Sequence, residues 1–236
     1  MKAKYLPITV FGVCLMSLSI LGQTAYVIND PTVEPVKTEL SAAEQSLMDK
    51  SILPRVREKL KSDICEETIE VSGRAQGAFT KAGTKQTVIF YQFCQTGNGL
   101  GSVGVAIIEN GRVVGNFVSA ESGWPDTAKT LPDINQNGLD EIALYYSGGM
   151  HQGAGGTGVD IMEFSAGGLK GIGWFQAEEF TETSPVMSYK VTVNPGKTPA
   201  FFSEKYISNG TAKWKRPGKI LPLRLKKVNS EFESIK

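Results

Sequence analysis

The chain has 236 residues, of which 41% are hydrophobic and 21% are charged, a balance typical of a globular domain. This composition excludes a wholly disordered chain and a polytopic membrane protein. The formal net charge is +1 at pH 7. No overall field therefore attracts nucleic acid or an anionic membrane, and we expect no nucleic-acid partner.

Residues 1–25 have the order of a secretory signal peptide. Lys2 and Lys4 form a basic start, an uncharged run extends from Leu6 to Leu21, and Ala25 provides a small residue for cleavage. We therefore predict an exported protein, periplasmic or extracellular, with no membrane insertion once the signal is removed. An uncleaved N-terminal anchor is the alternative, because Gln23 is a poor residue at position −3 of a cleavage after Ala25.

Two cysteines, Cys65 and Cys94, remain after such a cleavage. In an oxidising compartment they most simply form one disulfide. The bond would close a loop of about 30 residues and stabilise the fold by about 3–4 kcal/mol in the chain-entropy model. A reactive thiol is the competing interpretation, but it needs a base, and the sequence has a single histidine, His151.

A linker and a helical segment are predicted between the signal peptide and the β-rich domain. Residues 26–37 contain Pro31 and Pro35 and are predicted to be a linker. A helical segment is predicted over 38–66, since Ser41 and Glu44 have the spacing of a capping box. An apolar stripe then recurs every fourth position, which favours a helix packed on the body over one lying on a membrane surface; the stripe comprises Ile52, Val56, Leu60 and Ile64.

A β-rich repeat domain is predicted over 67–228, followed by a tail over 229–236. Short β-branched and aromatic runs alternate with turn signals such as Asn110-Gly111. The run beginning at Gly83 aligns with the run beginning at Gly138, and a fainter third copy begins at Gly196. The predicted fold class is mainly β, with repeated antiparallel sheets. Three units are fewer than a propeller's four to eight blades, so the arrangement is either propeller-like or a sandwich.

One loop carries a metal-binding pattern. In the stretch from Asp133 to Glu141, oxygen-bearing side chains fall at relative positions 1, 3, 5 and 9, and a glycine lies at position 6. Hard oxygen donors in a flexible loop suit Ca²⁺. The predicted ligands are Asp133, Asn135, Asn137, the carbonyl of Leu139, and Glu141. A polar turn held by Asx hydrogen bonds, with no metal, is the alternative.

This stretch resembles the Asp-x-Asp/Asn-x-Asp/Asn-Gly-x-x-Asp/Glu loop of FG-GAP/VCBS-type repeats, as found in integrin-α-like β-propellers. The resemblance is confined to residues 133–146 and implies a calcium loop between two strands of a blade. Asn replaces the more usual Asp at positions 3 and 5, which implies a weaker site. Ala78 and Gln86 stand in the first copy where Asp133 and Glu141 stand in the second.

Two further patterns are weaker. The stretch from Gly153 to Gly158 matches G-x-G-x-x-G, but a strand pattern follows it rather than the helix that a dinucleotide site needs, so we expect no nucleotide there. The stretch from Lys213 to Lys227 holds seven basic residues and no acidic ones. It indicates either a solvated strand face or a site for an anionic polymer or lipid.

Two classes of function remain. The first is an exported binding or structural module, stabilised by Ca²⁺, whose loops contact a protein or glycan ligand without catalysis. The second is a secreted metal-dependent hydrolase, whose acids would be Asp133, Asp140 and Glu141 around a metal-bound water. The sequence has no paired acid, base or nucleophile elsewhere, which favours the first class.

Overall fold

The computed structural model describes residues 24–34, 39–60, 69–94, 101–151, 154–165, 168–182, 184–209, 214–216 and 218–235, with backbone alone at 120–122 and 149–151. Its strands are β1 Tyr26–Asn29, β2 Glu70–Gly77, β3 Gln86–Phe93, β4 Gly101–Glu109, β5 Arg112–Ser122, β6 Trp124–Leu131, β7 Glu141–His151, β8 Ala154–Ser165, β9 Gly168–Thr181, β10 Ser184–Asn194, β11 Ala200–Ser208, β12 Leu221–Leu223 and β13 Glu233–Ser234. Its helices are α1 Ala42–Leu47 and α2 Leu53–Leu60, joined by a π-helical turn, Met48–Ile52.

The strands form two antiparallel sheets, as the predicted fold class requires. The larger sheet has the order β12-β11-β10-β9-β8-β7-β6, with β1 added beside β10, and the smaller has the order β13-β5-β4-β3-β2. The two sheets stack face to face as a sandwich, and in the described part of the chain they do not close into a barrel.

The core between the sheets is built from alternate strand residues, because successive side chains point to opposite faces. Phe90 and Val105 come from the smaller sheet and meet Ile142 and Phe164 of the larger sheet. Phe79 lies edge-on to Phe164 with ring centroids 5.7 Å apart. This dry layer holds the strand ends in register and so fixes the loops at each end of the sandwich.

The helical segment covers the outer face of the smaller sheet. Ser41 caps α1 and forms the predicted capping box with Glu44. Ile52 and Val56 are buried against Ile89 and Tyr91, which shows that the apolar stripe packs on the body. Ile64 lies outside the described residues. Among the described residues, no helix combines the length and apolar character that crossing a bilayer requires.

Two segments differ from their predicted structure. Residues 26–29 of the predicted linker form strand β1, and residues 233–234 of the predicted tail form strand β13. Ile28 is buried in a second apolar cluster, on the face of the larger sheet that does not meet the smaller sheet. Lys129 Nζ donates to the carbonyls of Val27 and Ile28 at 2.6 and 3.2 Å. Both strands are stabilised by partners more than 100 residues away, which local sequence does not display.

The first eight body strands form two similar meanders, β2 to β5 and β6 to β9. Each meander pairs its strands consecutively in antiparallel register. β3 begins at Gln86 and β7 begins at Glu141, the same offset that aligns Gly83 with Gly138. The loops that precede β3 and β7 are therefore equivalent positions in the two meanders.

Candidate metal centre

The predicted metal loop connects β6 to β7 at one end of the larger sheet. Its backbone turns sharply, with positive φ at Asp133 (33°), Gln136 (59°) and Gly138 (88°). An added Cβ at Gly138 would meet no atom within 4 Å, so the backbone conformation rather than space requires glycine there.

The predicted ligands form hydrogen bonds within the loop. Asp133 Oδ1 accepts from the Gly138 N–H at 3.1 Å, and Asn135 Oδ1 accepts from the Asn137 N–H at 3.0 Å. Asn137 Oδ1 accepts from the N–H of the half-buried Leu139 at 2.8 Å. The two asparagine bonds are Asx turns and the Asp133 bond spans five residues, and together they bend the chain around its own side-chain oxygens.

Glu141 is the most unusual predicted ligand, because its side chain is 0% exposed. Oε2 accepts from the Ile134 N–H at 2.8 Å, but buried Oε1 has no hydrogen-bond partner. Burial raises the pKa of Glu141 to about 7, opposed by the Ile134 hydrogen bond and reinforced by the nearby Asp133, Glu163 and Asp140 carboxylates. A buried carboxylate with one unsatisfied oxygen is costly unless a proton or cation compensates it.

The structure adds Glu163, which the sequence analysis did not identify. Ile142 pairs with Met162 across β7 and β8, so Glu163 lies beside Glu141. Glu163 Oε2 accepts from Asn135 Nδ2 at 3.1 Å, which ties β8 to the loop. The strand alternation around Phe164 predicted β8, but only the pairing register brings this carboxylate to the loop.

Asp140 has a structural role. Its Oδ2 accepts from the Ala78 N–H at 2.7 Å and its Oδ1 accepts from the Asp133 N–H at 3.3 Å. The Asp140 N–H in turn donates to the Ala78 carbonyl at 3.1 Å. This residue therefore joins the loops of the two meanders. Its neighbours Asp133 and Glu141 lie close enough to influence one another electrostatically.

The carboxylates do not form a dense acidic cage. Within the described parts of the chain, no group of three or more His, Cys, Asp or Glu side chains is arranged to hold a metal. The predicted set contains two carboxylates, Asp133 and Glu141, and the amides of Asn135 and Asn137, so it depends on neutral oxygens. Such a set fits a hard, flexible cation better than one that demands nitrogen or sulfur.

The disulfide prediction is only half covered by the described residues. Cys94 directly follows β3 with φ at 61° and packs against the apolar cluster between the smaller sheet and the helical segment. Cys65 lies outside the described residues, so the Cys65–Cys94 disulfide stays a prediction.

The glycine-rich stretch belongs to a strand. Residues 154–158 lie within β8, which continues to Ser165, so no helix begins there among the described residues. A cavity of about 510 Å³ borders this strand. It is lined by glycines, aromatic residues and small polar groups, among them Tyr146, Ser147, Gly156, Trp174, Gln176 and Phe180.

Fold and loop together define a two-sheet antiparallel β-sandwich with a helical cover and an Asx-rich loop at one end. No family model, curated protein or solved structure matches the chain.

Proposed function

We propose that the chain is an exported binding module whose β-sandwich is stabilised by one Ca²⁺ at the loop of residues 133–141. The observation that supports this most directly is Glu141 Oε1, which is buried without a hydrogen-bond partner. Carboxylates of Asp133 and Glu163 lie near it and add negative charge. A cation in this place would compensate the buried charge that no side chain of the loop compensates.

Calcium suits the donor set better than magnesium. The oxygens of Asp133, Asn135, Asn137 and Glu141, with the Leu139 carbonyl, would hold the ion. Ca²⁺ accepts six to eight oxygens in irregular geometry, whereas Mg²⁺ demands a near-ideal octahedron. Bound calcium would supply positive charge at the start of β7. The presence of only two carboxylates in the set implies moderate to weak affinity.

The binding module is favoured over a metal-dependent hydrolase. A hydrolytic site needs a carboxylate that is free to take a proton from metal-bound water. Both oxygens of Asp140 accept from backbone N–H groups, and Glu141 Oε2 accepts from Ile134. The acids of the hydrolase hypothesis are therefore largely engaged in holding the loop.

The cavity beside β8 is the ligand surface that we assign to the module. Trp174 and Phe180 offer flat apolar faces, while Ser147 and Gln176 offer neutral polar groups. Its volume of about 510 Å³ lies within the range of small-ligand sites. A glycan is the ligand class with matching chemistry, and a protein loop is the other. Binding to an array of glycans, measured in calcium, distinguishes them.

Thermal unfolding and isothermal titration test the calcium site. At millimolar Ca²⁺, a site with a Kd of roughly 10 μM would stabilise the native state by about 2.7 kcal/mol. This corresponds to a rise of a few degrees in Tm. Asp133→Ala should remove most of the rise, because it deletes one of two carboxylates. Asn135→Asp should keep or strengthen binding.

Asp126→Ala is the matched control, since Asp126 is exposed on β6 outside the loop. It should keep the full calcium response. If wild type shows neither a Tm shift nor heat of binding up to millimolar calcium, the loop is a hydrogen-bonded turn and the proposed function loses its main support.

A further inference from the structure

An exposed edge at β12 combines aliphatic and basic side chains. We define this apolar-basic edge by Lys219, Ile220, Leu221, Pro222, Arg224 and Lys227, all of which are exposed. β12 is the last strand of the larger sheet and pairs only with β11 among the described strands. The calcium loop lies at the β6–β7 connection, at the other side of the strand order.

The aliphatic part is unusual for the surface of this protein. Ile220 and Leu221 are each 59% exposed. Three other large hydrophobic side chains are exposed in the described chain, and all of them belong to other segments: Val33 (65%), Val114 (54%) and Tyr26 (36%). Beside the pair runs a shallow apolar groove lined by Pro199, Phe202, Pro222 and Leu223, among others. Pro222 belongs both to this groove and to the apolar-basic edge, so the exposed aliphatic pair directly precedes the groove in sequence.

The basic part is local and largely unneutralised. Residues 213–227 hold seven basic residues and no acidic ones. Arg216 forms an ion pair with Glu204, and Lys226 Nζ lies 5.1 Å from the centroid of the Trp174 ring. Among the residues that the structure describes, Lys219, Arg224 and Lys227 form no ion pair. These three cations surround the exposed aliphatic pair in sequence.

We propose that the apolar-basic edge binds the surface of an anionic lipid bilayer. The aliphatic pair would enter the boundary between headgroups and acyl chains, while the flanking cations contact anionic headgroups. A soluble polyanion would contact the cations but would leave Ile220 and Leu221 exposed to water. An apolar peptide would bury the aliphatic pair but leave three cations without partners. Pro222 also removes a backbone donor from the edge, which disfavours the addition of a peptide strand there.

Vesicle co-sedimentation tests this inference on the full chain after removal of any signal segment. The vesicles are pure phosphatidylcholine, or phosphatidylcholine with about 30 mol% phosphatidylglycerol, at about 0.05 M salt so that surface charge is weakly screened. EDTA is present throughout, so failure of the calcium site does not affect the outcome. We expect binding to the anionic vesicles that weakens strongly at about 0.5 M salt, and little binding to the neutral ones.

Variants separate the two components. Lys219→Gln with Arg224→Gln should weaken binding about twenty-fold or more, since each cation near an anionic surface contributes about five-fold. Ile220→Ser with Leu221→Ser should weaken it at least about ten-fold, because aliphatic insertion is lost. Val114→Ser is the control for an equally exposed aliphatic residue on another strand, and should bind as wild type does.

Three results would overturn the inference. The first is no binding of the wild type to anionic vesicles, and the second is binding by the serine double variant that equals wild type. The third is binding to heparin that exceeds vesicle binding and is unchanged in the serine double variant. The last result would assign the edge to a soluble polyanion. Near-wild-type Tm values for each variant establish that any loss concerns the surface rather than folding.

Discussion

The loops that precede β3 and β7 in the two meanders have different buried side chains at equivalent positions. In the first, Gln86 is buried at the start of β3, and its Oε1 accepts from the N–H groups of Phe79 and Thr80, both at 2.9 Å. Its Nε2 donates to Thr80 Oγ1 and to Glu109 of the neighbouring strand. An amide therefore satisfies the position completely, with one carboxylate beside it.

In the second meander, Glu141 occupies the equivalent place and faces Glu163 instead. A carboxylate has no N–H to donate, so Glu141 cannot bond to Glu163 as Gln86 bonds to Glu109. Asn135 supplies one donor to Glu163, and Glu141 Oε1 still lacks a partner. The first loop therefore satisfies its buried polar side chain with protein groups alone, whereas the second lacks a positive charge or a proton at Glu141 Oε1.

The largest expected effect comes from converting the first loop into the second. Gln86→Glu keeps the acceptor for Phe79 but removes both donated hydrogen bonds and places a carboxylate against Glu109. We expect a loss of about 3–4 kcal/mol in the free energy of unfolding, measured in urea at pH 8. Gln92→Glu is the control, because Gln92 lies on the same strand, β3, and donates to Glu70 of β2 at an exposed position. Equal losses in both variants would show that burial at position 86 does not matter.

Asp160 is a second buried carboxylate, and it pairs with Leu144 across β7 and β8. Asp160 is 2% exposed and accepts from Ser230 Oγ at 2.8 Å. Burial raises the pKa of Asp160 to about 6, opposed by the Ser230 hydrogen bond. Because the folded pKa is raised, the stabilising contribution is complete below the unfolded pKa of about 4 and is lost as pH rises through 6.

Asp160→Asn should therefore stabilise the protein by about 2 kcal/mol at pH 8, since the amide carries no charge to desolvate and its oxygen still accepts from Ser230. The gain should vanish below about pH 4. Urea unfolding at several pH values measures it, with the exposed Asp126→Asn as control. A gain that does not depend on pH would contradict the titration argument.

Converting the second loop into the first should have a somewhat smaller effect. Glu141→Gln keeps the acceptor for Ile134 and allows Nε2 to donate to Glu163. Without calcium we expect a gain of about 1–2 kcal/mol, because like charge is removed and a hydrogen bond is added. The same change should abolish the calcium-dependent rise in Tm. A variant that loses stability in EDTA and keeps the calcium response would refute the equivalence of the two loops.

The smallest effect concerns the backbone that both loops share. Gly83 and Gly138 have φ of 73° and 88°, and an added Cβ would meet nothing within 4 Å at either position. Alanine at each should therefore cost about 1 kcal/mol, from backbone strain alone. Equal losses of urea stability in EDTA confirm the shared geometry. A much larger loss at Gly138 in calcium than in EDTA would show that this turn is coupled to the metal.

Local sequence is sufficient for the elements that depend on nearest neighbours. The alternation around Val88 and Ile142 predicts β3 and β7, and the Ser41 and Glu44 spacing predicts the cap of α1, as the structure shows. The loop from Asp133 to Glu141 is likewise visible in sequence, because its side-chain-to-backbone hydrogen bonds join residues two to five positions apart.

Pairing between strands that are far apart in the sequence determined the features that local sequence did not predict. The sequence left sandwich and propeller open, because alternation shows that a strand has two faces but not which sheet covers them. β1 and β13 escaped detection since their partners lie far along the chain. In the hydrolase alternative Asp140 is one of three acids, whereas packing of the two meanders engages it with Ala78. Strand register places Glu109 beside Gln86 in the first loop and Glu163 beside Glu141 in the second. The amide of Gln86 can donate to its neighbouring carboxylate, whereas Glu141 keeps a buried oxygen without a hydrogen-bond partner.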